Sequence, residues 1–132
     1  MKILVDSDFL IANFKSNDSN HKKASKLAKK FHNLGYKYYC SNLVQEESAT
    51  VISKRIGMAE AKTFYNNLDN FIDRFIYFEE KFEKKAWRLF LQQNKKGTSF
   101  IDCSNVIMAE EYNLKIASFD KFYDKKFMVL SD

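Results

Sequence analysis

The chain has 132 residues, and its 22 Lys and Arg outweigh 17 Asp and Glu for a net charge of +5. That length suits one domain, residues 1–132, with a core of its own. With 45% hydrophobic residues, no proline and three glycines, the composition excludes a disordered or linker-rich chain and favours regular elements with short connections.

No stretch approaches the roughly 20 apolar residues of a membrane span. Asp6 and Asp8 interrupt the only candidate for a secretory signal, so a cytoplasmic protein is expected. Cys40 and Cys103 match neither CxxC nor zinc spacing and read as small core residues in a reducing compartment. The basic balance suggests an anionic partner, nucleic acid first, although a Lys-rich coding bias accounts for it as well.

KILVD, at the amino terminus, reads as a short buried strand that ends on an acid. Residues 20–34 read as a helix with Ala24, Leu27, Ala28, Phe31 and Leu34 as its apolar stripe, capped by Gly35. YKYYC, residues 36–40, is rich in β-formers. SNLVQEESATVISKR follows as a helix that Gly57 breaks, and MAEAKTFYNNLDNF, from Met58, is another. Phe75 to Phe78 is a strand candidate, and EEKFEKKAWRLFLQQN is a helix running up to Gly97. TSFIDCSNVIMAEEYN is helical after its first residues, KIASF is a strand, and KFMVL is a final edge strand. Strands alternating with helices predict a parallel sheet covered on both faces.

Four acids stand out against that frame. Asp6 ends the first strand, at the sheet edge where open α/β folds bind ligands, though it also suits an N-cap. Glu47 shares a helix face with Leu43, Val44, Val51 and Ile52, whereas Glu46 points away. A carboxylate on such a face needs a Lys or Arg partner, a hydrogen bond, a cation or a wet cleft. Asp102 completes a capping-box pattern with Ser99, and it also lies one turn before Val106 on the inward stripe. Asp120 follows KIASF, where a turn acid is equally at home.

Their conjunction is more informative than any one of them. A parallel sheet sets the strand ends at Asp6 and Asp120 side by side, and the helices carrying Glu47 and Asp102 cover that edge. Four anions converging there need compensation, and hard divalent cations such as Mg²⁺ take oxygen ligands of this kind. Zinc is disfavoured, because neither His21 nor His32 falls near these positions and the thiols do not cluster. Such a nest activates water and stabilises phosphoryl oxygens, so with a basic surface it points to hydrolysis of nucleic-acid phosphodiesters.

These segments resemble a PIN domain, and more closely the stand-alone PIN ribonucleases of VapC toxin type. ILVDSDFLIA is similar to the family's opening strand, acid, hydroxyl residue and short helix; SNLVQEESATVI is similar to the segment carrying its Glu. TSFIDCSNVIMAEEYNLKIASFDKFY carries the most specific likeness, a hydroxyl-x-x-Asp helix and a strand ending in hydroxyl-x-Asp. The resemblance implies catalytic, metal-binding acids at Asp6, Glu47, Asp102 and Asp120, with Ser7, Ser99 and Ser118 at accessory hydroxyl positions. It implies a three-layer α/β/α sandwich with a five-stranded parallel sheet in the order 3-2-1-4-5. It further implies a Mg²⁺- or Mn²⁺-dependent endoribonuclease, a homodimer and a small antitoxin protein as partner. Asp8 departs from the family pattern, which has a small or neutral residue there; it either adds charge beside the metal or caps a helix.

Two other readings are open at this stage. VDSDFL also resembles the strand-end motif of haloacid-dehalogenase-type phosphatases, with Asp6 as nucleophile and Asp8 as acid, although Phe9 and the short chain fit that family poorly and Glu47 has no part in it. The other is a PIN scaffold that binds RNA or protein without catalysis, or that serves RNA maturation instead of acting as a toxin.

Overall fold

Ile3, Leu4 and Val5 are wholly excluded from solvent in strand β1 (Lys2–Val5). Alternate side chains leave a strand on opposite faces, so Ile3 and Val5 enter one core and Leu4 enters another. A strand buried on both sides belongs inside a sheet covered by helices on each face. The computed structural model, which describes residues 1–123, has that arrangement.

After β1 come α1 (Ser7–Phe14), α2 (His21–Asn33), β2 (Lys37–Ser41), α3 (Asn42–Arg55), α4 (Met58–Phe71), β3 (Arg74–Ile76), α5 (Glu80–Leu91), α6 (Phe100–Tyr112) and β4 (Lys115–Ala117). The strands pair in parallel in the order β3-β2-β1-β4. Phe9 and Leu10 of α1, Phe31 of α2, Val44 and Ile52 of α3, and Phe64 and Leu68 of α4 fill the core on the Ile3 and Val5 side. Phe82 of α5 and Met108 and Ala109 of α6 fill the core on the Leu4 side with Ile116. The architecture is therefore helices, sheet and helices in three layers.

Four strands stand among the described residues, in place of the five expected. The expected edge strand KFMVL, residues 126–130, lies outside them. β3 ends at Ile76 and not at Phe78, because the Phe78 amide donates to Asn42 Oδ1 at 2.7 Å instead of joining a ladder. α5 stops at Leu91, where the amide of Gln92 turns back to the carbonyls of Leu89 and Phe90. α1 has no helical periodicity to read, since Phe9, Leu10, Ile11 and Ala12 are all buried in succession; the N-cap reading of Asp6 and the family resemblance anticipated it. Cys40 and Cys103 are buried and free, as the sequence suggests. No helix of the described residues is long and apolar enough to cross a membrane.

Candidate functional site

The pairing of β1 with β4 sets Val5 opposite Ala117, and the Asp6 amide continues the ladder to the Ala117 carbonyl at 3.0 Å. The next residues of the two strands, Asp6 and Ser118, therefore meet at the carboxyl edge of the sheet. Asp6 leaves β1 in extended conformation and caps α1, its Oδ1 accepting from the Ser7 amide at 2.9 Å. The capping role and the site position coincide in one residue.

Asp6 is buried, and four donors surround its carboxylate. Ser7 N and Asn105 Nδ2 (3.1 Å) serve Oδ1, while Ser118 Oγ (2.8 Å) and the Tyr123 hydroxyl (3.1 Å) serve Oδ2. These bonds favour the charged form, but burial outweighs them and raises the pKa of Asp6 above the ordinary 3.8.

Asp8 reaches the same strand end from the first turn of α1. Its Oδ2 accepts from the Phe119 amide at 3.1 Å, and Ser118 Oγ lies 3.2 Å from each of its oxygens. Burial, then the charge of Asp6, pushes its pKa up to about 7.

Asp102 lies half-buried in the first turn of α6. Ser99 caps that helix by accepting from the Ile101 amide at 3.0 Å. The reciprocal half of the expected capping box does not form among the described residues: Asp102 Oδ1 instead accepts from the Tyr123 hydroxyl at 3.1 Å. Burial, then the charges of Asp6 and Asp120, pushes the pKa of Asp102 up to about 7.

Asp120 is exposed and takes the turn role that the sequence left open, its Oδ1 accepting from the Phe122 amide at 2.9 Å. It nonetheless acts electrostatically on Asp102. Glu47 sits half-buried between Leu43 and Val51 on α3, while Glu46 is exposed, so the helix register is as read. Glu47 lines a groove of about 290 Å³ together with Ser7, Asp8, Asn20 and Arg55. Its charge is felt at Asp6 and at Asp102.

Among the described residues no salt bridge from Lys or Arg reaches Asp6, Asp8, Glu47, Asp102 or Asp120. A Lys or Arg partner for Glu47, the plainer reading of that residue, is thus not found there, although Arg55 borders the same groove. The site is a patch of oxygen donors whose charge is opposed by burial and by each other. That donor set suits a hard divalent cation. As the side chains stand, however, no three of the described His, Cys, Asp or Glu residues converge closely enough to hold an ion.

Two site residues escaped the sequence reading. Asn105 is fully buried one turn after Asp102, and its Nδ2 donates both to Asp6 and to the Tyr123 hydroxyl at 3.0 Å. A polar side chain at i+3 from an acid, on a buried stripe, was the available signal. Tyr123 is buried within FDKFYD, a stretch that reads only as a turn.

A PIN domain family model matches residues 3–126. No curated protein matches the sequence significantly. Among solved structures, the fold is similar to that of Mycobacterium tuberculosis VapC20, described as a sarcin-ricin loop cleaving toxin, with a TM-score of 0.83, 21% identity and 96% of each chain covered. It is also similar to VapBC2 from Rickettsia felis bound to a DNA fragment from its promoter, with a TM-score of 0.67, 15% identity, and 96% of this chain and 93% of that one covered.

Proposed function

The chain belongs to the PIN domain family, and from that premise we propose that it is a single-domain, metal-dependent endoribonuclease that acts as the toxin of a toxin-antitoxin pair. One observation carries the proposal. At the carboxyl edge of the sheet the charge of Glu47 acts on Asp6, and those of Asp6, Asp120 and Glu47 act on Asp102, while among the described residues no cation bridges to any of the four. Burying carboxylates without a cationic partner is costly, so the arrangement suits a ligand of opposite charge.

In this reading Asp6, Glu47, Asp102 and Asp120 hold Mg²⁺ or Mn²⁺. When bound, the cation supplies a Lewis acid and an activated water for phosphodiester hydrolysis. The protein's own contribution is positioning. Asn105 and Ser118 fix the rotamer of Asp6, with the Ser7 amide as a third anchor. Ser118 also links Asp6 to Asp8 and accepts from the Asp120 amide at 3.0 Å, so one hydroxyl sets the spacing of three acids. Ser99 caps α6, the helix whose first turn carries Asp102. The excess of Lys over acidic residues draws the RNA backbone to the protein by counterion release.

The two similar structures, one described as a toxin and the other as a VapBC assembly, support a small antitoxin as partner, and a homodimer accords with that role. A cytoplasmic location follows from an RNA substrate. The phosphatase reading loses its footing with the family match, and Glu47, which it left unexplained, has a place here. The test is cleavage of a mixed RNA pool by the purified protein. Strand scission is expected with Mg²⁺ or Mn²⁺ and is expected to stop on chelation. RNA bound but uncut under all metal conditions would instead support a binding module.

A further inference from the structure

A carboxylate offers about four lone-pair positions. All four on Asp6 are taken: two by Ser7 N and Asn105 on Oδ1, two by Ser118 and Tyr123 on Oδ2. A cation that ligates Asp6 must therefore displace one donor. Resting on the reading of Asp6 and Asp102 as cation ligands, we propose that the displaced group is the Tyr123 hydroxyl. It stands between the two acids as a built-in competitor for the divalent cation.

The four donors are not equivalent. The Ser7 amide is backbone at the start of α1 and cannot turn away without unmaking the helix. Asn105 is fully buried on α6. Ser118 makes the shortest of the bonds, 2.8 Å, from the end of β4. Tyr123 differs in three respects. Its contact is long for a hydroxyl donor, 3.1 Å against the usual 2.7–2.8 Å or so. Its single proton is divided between two proposed ligands, Asp6 Oδ2 and Asp102 Oδ1, each at 3.1 Å, whereas the second carboxylate that Ser118 faces is that of Asp8. It also stands several residues past the end of β4, whereas Ser118 follows Ala117 directly. Of the two hydroxyl donors, it makes the longer bond to Asp6.

Position adds to this. Tyr123 alone among the four donates to the carboxylate of a second proposed ligand as well as to Asp6. The ring packs in the core on the Leu4 side, against Phe122 at 5.3 Å between centroids, which aims the hydroxyl at the acids. A phenol wedged between two carboxylates accounts for side chains that face one another yet do not close into a cage. The hydroxyl keeps the acids apart and partly satisfied until a cation replaces it.

Competition and support predict opposite effects of Tyr123→Phe, which keeps the ring and removes the hydroxyl. A supporting hydroxyl makes the variant bind cations more weakly. A competing one makes it bind them more tightly, by roughly tenfold for the loss of one charge-assisted bond. Calorimetric titration of the RNA-free protein with Mn²⁺ and with Ca²⁺ reads this without reference to activity. Tighter binding to Tyr123→Phe supports the proposal; equal or weaker binding, with the wild type binding normally, overturns it and leaves the metal site standing. A wild-type protein that takes up neither cation overturns the metal site and this proposal together. Should Tyr123→Phe fail to fold, fluorotyrosine placed at position 123 of the otherwise unaltered chain gives a second readout. Mg²⁺ is expected to shift its ¹⁹F resonance in that protein and not in the same protein carrying Asp6→Asn. A resonance that stays fixed while calorimetry records Mg²⁺ uptake overturns the proposal.

Discussion

Asn105 Nδ2 lies 3.1 Å from Asp6 Oδ1, so a buried amide of α6 fixes the acid at the end of β1 from 99 residues away in sequence. The same nitrogen donates to the Tyr123 hydroxyl. Truncation by Asn105→Ala leaves a buried carboxylate and a buried phenol each short of a donor. The expected cost is about 1–3 kcal/mol, read from urea unfolding of the metal-free protein. An unchanged midpoint would show that the amide does not hold Asp6 in solution.

The raised pKa values fix the sign of a pH effect. Asp8 and Asp102 titrate near 7 in the folded protein against an ordinary 3.8, because burial and then the neighbouring charge of Asp6 oppose ionisation. The folded state therefore holds more protons than the unfolded chain between those values. The stability that this contributes is fully present below the ordinary carboxylate value and is lost as pH rises through about 7. Chelated protein should melt at a higher temperature at about pH 5.5 than at about pH 8, and saturating Mg²⁺ should flatten the difference, because a cation binds the ionised acids. Melting temperatures that climb across this interval in chelator would contradict the charge crowding described here.

Adjacent residues on α3 provide an internal control. Glu47 lines the groove beside Asp8, whereas Glu46 is exposed. Glu47→Gln should lose RNA cleavage while Glu46→Gln keeps most of it. Equal losses in the two variants would show that the facing of α3 is not what matters.

Capping and chemistry separate at the start of α6. Ser99 carries the cap, through its bond from the Ile101 amide. Ser99→Ala should cost about 0.5–2 kcal/mol in thermal or urea unfolding. Cleavage, measured where the variant is fully folded, should remain within a few fold of the wild type. A stability unchanged by the substitution would remove Ser99 from the capping role.

Legibility in the sequence followed the strength of the local signal. α2 and α4 were readable to within a residue or so because each has a polar face opposite an apolar stripe. α1 was not, since its buried run of Phe9 to Ala12 has no period. The end of β3 was missed because a side chain, Asn42, takes the amide of Phe78 in place of a neighbouring strand. Among the acids, the strand end and the helix phase were enough to put Asp6 after β1 and Glu47 on a half-buried side of α3. The partners that set their chemistry are long-range: Asn105, Ser118 and Tyr123 meet Asp6 from 99, 112 and 117 residues away. The meeting of Asp6 with Ser118 follows from the expected parallel sheet, whereas the contacts from Asn105 on α6 and from Tyr123 after β4 depend on tertiary packing that local periodicity cannot show.

The most direct test of a carboxylate-held metal centre is the behaviour of Asp102→Asn, assayed for RNA cleavage and RNA affinity on one preparation. The side chain keeps its size and loses a charge that burial and Asp6 already oppose. Metal-free stability should hold or rise, and lysine-borne RNA binding should survive and weaken steeply with salt. Cleavage should fall by orders of magnitude, on the order of a hundredfold or more, because a displaced cation no longer orients the attacking water. An Asp102→Asn protein that cuts RNA at the wild-type rate would contradict the nuclease centre assigned to this edge of the sheet.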